Sequence, residues 1–186
     1  MKRRFRSLVP AALIAAIIAL APTPVQAQDY TWTLSFMGGV GSALREGGGS
    51  DGAYQVGFGL QFEPGANVWF HAGELGFETG SSVGELTDGT ITYVNVGGEY
   101  QFNENYYDSG IFIGLGAYDM ESRLVLEDGV LAPASSDTVI GLVLGATGEF
   151  KITPSFVFLV EITGHILDSS ALRVLGTAHA GFGFHF

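Results

Sequence analysis

Side chains able to do chemistry are densest near the C-terminus, where Glu161, His165, Arg173, His179 and His185 follow one another, with Ser169 and Ser170 between. An imidazole beside a carboxylate titrates near neutrality, so an acid/base site or a proton path is one chemistry this grouping could perform. If the chain turns back near Ser169, His165 stands opposite Arg173, and Glu161 lies diagonal to His179, roughly 7–8 Å across the strand pair. Alternation then sends Glu161, His165, Arg173 and His179 to one face. Because buried charges require partners, a lumen network in which these groups satisfy one another is the plainer reading. Glu99 and Glu149, isolated acids on other segments, extend it. A serine-hydrolase reading would recruit His165, Ser169 or Ser170, and Glu161, but no Gly-x-Ser-x-Gly elbow is present. The glycine-rich run 38–42 lacks the lysine and the following helix of a phosphate loop. The loop acids Glu46, Asp51, Glu127, Asp128 and Asp137 match no calcium-loop spacing. No catalytic residue, cofactor or metal ligand is assigned on these grounds.

The elements that position these groups read as strands. From Tyr30 onward the dominant period is two, in eight runs of about ten residues separated by turn signals. Run 30–42 sets Trp32, Leu34, Phe36 and Val40 against Thr31, Thr33, Ser35 and Gly39. Run 53–63 alternates Tyr54, Val56, Phe58, Leu60 and Phe62 with Gln55, Gly57, Gly59, Gln61 and Glu63. Run 68–79 is the irregular one. Leu75 and Phe77 on the apolar face imply that Glu74, Gly76 and Glu78 point inward, whereas Val68 and Phe70 imply the opposite parity. A bulge near Gly73 would reconcile them. Runs 90–102, 110–119, 138–150, 155–166 and 172–186 alternate cleanly, with Glu99, Glu149, Glu161, His165, Arg173 and His179 all on the polar face.

The ends and the composition narrow the class. Lys2, Arg3, Arg4 and Arg6 precede an apolar run from Leu8 to Ala21, and Val25-Gln26-Ala27 follows. This is the pattern of a secretory signal peptide, residues 1–27, cleaved ahead of a single domain spanning 28–186. Cleavage leaves 159 residues with four basic and nineteen acidic side chains, a net charge of −15. So acidic a surface argues against nucleic acid and against docking on anionic lipid. Cysteine is absent, so stability rests on packing and closed hydrogen bonding.

Short connections (Pro64-Gly65-Ala66-Asn67 and Lys151-Ile152-Thr153-Pro154) tend to alternate with longer ones, as between periplasmic turns and external loops. Tyr30, Trp32, Phe62, Trp69, Tyr100, Phe102, Phe150, Phe156, Phe184 and Phe186 cluster at the strand ends on the short-turn side, as an interfacial girdle would. The polar face is rich in glycine, threonine and glutamine and sparsely charged, which suits the narrow lumen of an eight-stranded barrel better than a watered surface. The expected fold is all-β: an eight-stranded antiparallel transmembrane β-barrel after a cleaved signal peptide. Its apolar side chains would face lipid, and its small and hydroxylated ones would fill the interior.

The signal ending Val25-Gln26-Ala27, the glycine-interrupted segments Gly57-Phe58-Gly59 and Ile113-Gly114-Leu115-Gly116, and the terminal Phe184-His185-Phe186 resemble the small outer-membrane β-barrel proteins of Gram-negative bacteria. That group includes the OmpA-type and OmpX-type barrels. The resemblance implies location in the outer membrane, contact with its lipids, and recognition by the barrel-assembly machinery through Phe182, Phe184 and Phe186. It also implies a monomer with a structural or surface-interacting role, its external loops meeting an unidentified partner. A narrow passive channel, a soluble periplasmic lipocalin-like binder and a lipid A deacylase are the competing readings.

Overall fold

Residues 31–44, 48–80, 86–103, 107–125, 135–168 and 174–186 are described by a computed structural model of the chain. They form eight strands: β1 (Thr31–Ala43), β2 (Gly48–Glu63), β3 (Ala66–Gly80), β4 (Leu86–Asn103), β5 (Tyr107–Val125), β6 (Ser135–Thr153), β7 (Phe156–Leu167) and β8 (Val174–His185). Each strand pairs antiparallel with the next, and β8 closes on β1, so the sheet has no free edge. Closure matters energetically, because an unpaired N–H or C=O in hydrocarbon costs several kcal/mol. The seam is complete to the last residue: Phe186 and Trp32 exchange backbone hydrogen bonds of 2.9 and 3.0 Å. The segments 1–30, with the signal peptide and Tyr30, lie outside the described residues, as do the loop acids Glu46, Glu127 and Asp128.

Register fixes the shape. Partners followed from Thr33 through Gly59, Trp69, Gly97, Gly114, Val143, His165 and Leu175 return to β1 at Ala43, ten residues above the start. With strands about 4.8 Å apart and a rise of about 3.3 Å per residue, this stagger tilts the strands by about 40° and gives a barrel radius of about 8 Å. So narrow an interior is filled by side chains. Glycines make room for the largest of them: a Cβ on Gly59 would stand 2.9 Å from the Trp69 ring, and one on Gly116 2.8 Å from that of Tyr118. Gly65, at φ +81°, is the one described residue in the left-handed region and forms the tight turn into β3.

The outward face is apolar. Ile113, Ile140 and Ile162 are 65, 69 and 70% exposed, and among the described residues twenty-five large apolar side chains stand on this wall or its rims. Covering a side chain of that size is worth roughly 1.5–3 kcal/mol, so the wall as a whole represents tens of kcal/mol against a typical net stability of about 5–15. Water is therefore the wrong solvent for it. Leu144 and Phe182, each 47% exposed, point away from the lumen, and Phe58 stacks on Trp32 outside the barrel at 5.0 Å. Phe62, Tyr100, Phe102, Phe150, Phe184 and Phe186 of the expected girdle ring the short-turn end, joined there by Tyr107.

The structure corrects two readings of β3. Its ladder with β4 runs unbroken from Ala66 to Gly80, so there is no bulge at Gly73; the irregularities lie in β2, between Ser50 and Ala53 and between Gln61 and Glu63. Leu75 and Phe77 therefore keep the phase of Asn67, Trp69 and His71 and point inward, 0 and 3% exposed. Glu74 points outward, where its carboxylate accepts a hydrogen bond from Tyr54. Trp69 is the second correction: it is buried in the lumen and does not belong to the girdle. Trp69 simply shares the unbroken inward phase of Asn67 and His71, whereas for Leu75 and Phe77 the physical reason is depth. Tyr54, Glu74, Thr92, Asp119 and Thr138 are successive register partners, and they mark a slanted upper edge of the apolar belt. Above that edge the outer wall meets water, and the lumen takes the apolar side chains.

Candidate functional site in the lumen

The inward side chains form three layers. At the short-turn end, His185 of β8 joins Thr33 of β1 to Glu149 of β6, with Nδ1 to Thr33 Oγ1 and Nε2 to Glu149 Oε1 both at 2.8 Å. Beside it, Lys151 Nζ lies 2.9 Å from Asp108. The hydroxyl–imidazole–carboxylate line has the order of a nucleophile relay. Yet Thr33 is buried, and its backbone is engaged in the ladders to both β2 and β8, leaving no free N–H pair to hold an oxyanion. It ties three strands together at the seam.

The middle layer is built on two carboxylates. Glu99 accepts from Asn67 Nδ2 at 2.9 Å, from the Trp69 indole N–H and from the Thr147 hydroxyl. Glu161 Oε1 accepts from Gln55 Nε2 at 2.9 Å and Thr163 Oγ1 at 2.7 Å, and the Tyr93 hydroxyl in turn donates to Gln55 Oε1 at 2.9 Å. His71 Nε2 and His179 Nδ1 flank the Glu161 carboxylate at 4.0 and 3.9 Å, too far for hydrogen bonds. A cavity of about 20 Å³, room for one water, lies among Trp69, His71, Glu99, Phe112, Glu149 and Glu161.

The upper layer is a plug. Ala43, Ala53, Leu75, Phe77, Ile91, Tyr93, Tyr118, Met120, Val139, Leu167 and Leu175 form one buried cluster across the lumen. His165, 1% exposed, sits at its underside, its ring 5.5 Å from Tyr93, with Tyr118 Oη 3.0 Å from Nδ1.

Glu99, Glu149, Glu161, His165 and His179 thus all face the lumen, buried. Arg173 lies outside the described residues, as do Ser169 and Ser170. The last hairpin is shifted by two residues from the sequence expectation: Glu161 stands directly opposite His179, and His165 pairs with Leu175 instead of Arg173. A two-residue slip preserves parity, so Glu161, His165 and His179 keep their inward assignment while their partners change. His71 and Trp69 escaped sequence reading because the supposed break in β3 obscured their phase. The odd positions Asn67, Trp69 and His71 carry the signal that would have found them.

No protein-family model matches the chain, and no curated protein matches it. Solved structures do. The attachment invasion locus protein Ail of Yersinia pestis is 18% identical, with a TM-score of 0.62, over 86% of this chain and 100% of that one. A major outer membrane protein from Thermus thermophilus is 10% identical, also with a TM-score of 0.62, over 86% of this chain and 100% of its own. The outer membrane protein OprG of Pseudomonas aeruginosa is 13% identical, with a TM-score of 0.58, over 87% of this chain and 97% of its own. The shared property is the fold.

Proposed function

We propose that this chain, which has the fold of the small eight-stranded outer-membrane barrels, is an exported monomer of the outer membrane. Its barrel is a closed peg that holds external loops at the cell surface, in a structural or partner-binding role. The observation that carries this reading is the combination of a lipid-sized apolar wall with a plugged lumen: the wall needs hydrocarbon, and the plug leaves no path for solutes. Residues 1–27 would serve as the cleaved export signal, and Phe182, Phe184 and Phe186 as the strand read by the barrel-assembly machinery.

The channel reading loses support from the plug, where Leu75, Ile91, Tyr118 and Leu175 are fully buried. A soluble binder is disfavoured by the outward apolar wall, and a deacylase by the burial of His165 beneath the plug. Fractionation tests the proposal. The protein should remain with outer membranes through high salt and leave only with detergent, and purified protein should give no conductance above leak in planar bilayers. Release by salt alone would refute the membrane reading; steady conductance would refute the closed peg.

A shared fold does not select a loop partner, so charge is the better guide. Ail has been solved in complex with the heparin analogue sucrose octasulfate. A mature charge of −15 repels such a polyanion, so no binding of sucrose octasulfate to this barrel is expected by calorimetry.

A further inference from the structure

We propose that the barrel thins the membrane leaflet on its loop side along one flank, drawing lipid headgroups down β2 and β3 to Tyr54 and Glu74. The inference rests on the membrane reading above and gives the surrounding lipid a direction. It starts from the height of the apolar wall, strand by strand. On β2 the outward apolar stretch that begins at Phe62 ends at Tyr54, eight residues above it. On β4, Thr92 stands ten residues above Phe102, and on β6, Thr138 stands twelve above Phe150. Along a strand tilted by about 40° each residue climbs about 2.5 Å, so the wall is about 20, 25 and 30 Å tall on β2, β4 and β6. Outer-membrane barrels ordinarily present about 25 Å.

Tilting the whole barrel cannot remove the difference. Phe62, Phe102, Tyr107, Phe150 and Phe184 already stand within about 5 Å of one level at the short-turn end, as the register places them. A tilt that levelled the upper edge would push one side of this girdle into water and sink the other. The mismatch therefore falls on the loop-side leaflet.

Polar groups fix where the short flank ends. Tyr54, 56% exposed, donates its hydroxyl to the Glu74 carboxylate on the outer wall. Above them the irregularity between Ser50 and Ala53 turns Asp51 onto the same face, where its carboxylate fills the space that a Cβ on Gly76 would take. At the level of Glu74, β6 presents Leu142. Hydrocarbon accepts the leucine and rejects the carboxylates, so the polar edge of the leaflet descends on one flank only.

The test is the depth of single nitroxide labels, read by electron paramagnetic resonance from relative accessibility to oxygen and to a nickel chelate, with the protein reconstituted in phosphatidylcholine vesicles. No native cysteine competes. Ala72 on β3 and Leu144 on β6 are level: the row Ala72, Val94, Ala117, Ile140 rises about 9 Å over three strands, and Leu144 lies four residues, about 10 Å, below its end. The label at Ala72→Cys should read shallower than that at Leu144→Cys by about 5 Å or more. Near the girdle, labels at Val68→Cys and Ile111→Cys, also level, should read alike. Adding Asp51→Leu and Glu74→Leu should sink the Ala72→Cys label towards the depth of Leu144→Cys, and an unchanged depth would refute the carboxylates as what draws the headgroups down. Equal depths at Ala72→Cys and Leu144→Cys, both within hydrocarbon, would overturn the thinning and leave the membrane reading standing. Free access of the nickel chelate to all four labels would refute the membrane reading itself. The four labels decide even where the substituted acids impair refolding.

Discussion

Glu99 shows how one residue organises a lumen. Three donors, Asn67 and Trp69 on β3 and Thr147 on β6, converge on its two oxygens from strands other than its own. Removing the carboxylate leaves those donors buried without partners, at about 1–3 kcal/mol each. Glu99→Ala is therefore expected to lower unfolding stability by about 3 kcal/mol or more, read from urea titration in detergent; a loss within error would show that the network carries no weight. His185 acts at the same scale. Its bonds to Thr33 and Glu149 hold the closing strands, so His185→Ala should cost about 1–2 kcal/mol in the same titration, while Glu63→Ala on the exposed rim should cost almost nothing. The lumen positions of Glu99, Glu149, Glu161, His165 and His179 were legible from parity alone. Their partners were not, because partners depend on register, and nothing in the hairpin residues distinguishes a turn centred at Ser169 from one centred at Ser170.

At the scale of the element, β3 is instructive. The rule that polar side chains point inward and apolar ones outward holds only at hydrocarbon depth. Above the belt the outer wall is wet and the interior is packed, so the rule reverses along a single uninterrupted strand. Leu75 and Phe77 obey the second regime, and Val68 and Phe70 the first. A bulge is the natural way to reconcile such a pattern in sequence, yet none is needed. The chain has no cysteine, which makes the point easy to check with single substitutions. Glu74→Cys should react with a membrane-impermeant thiol reagent on intact cells, and Leu75→Cys should not until the barrel is unfolded. Reaction at Leu75→Cys with Glu74→Cys protected would restore the bulge. Phe77→Ala should destabilise by about 3–5 kcal/mol, the usual cost of emptying an aromatic core position.

For the whole molecule the number of strands, their alternation, the placement of connections and the aromatic girdle were all readable, since each follows from period and turn chemistry. The plug was not. An apolar residue destined for the upper lumen and one destined for lipid look the same in composition and differ only in phase, so Ile91, Leu75 and Leu175 become recognisable as one cluster only after register is known. Closure also gives the terminal strand its weight. β8 pairs with both β7 and β1, and Phe186 completes the seam to Trp32. Deleting Phe186 should reduce the amount of assembled, heat-modifiable barrel in cells more than any single loop substitution; equal amounts would defeat the assembly role.

Two tryptophans make the orientation of the wall measurable. Trp32 lies on the lipid side and stacks on Phe58, whereas Trp69 is in the lumen, bound to Glu99. In vesicles containing phospholipid brominated near the headgroup end of its chains, Trp69→Phe, which retains Trp32, should be strongly quenched. Trp32→Phe, which retains Trp69, should fluoresce almost undiminished. Quenching of Trp69 with Trp32 protected, or of neither, would contradict a barrel whose apolar side chains face the membrane.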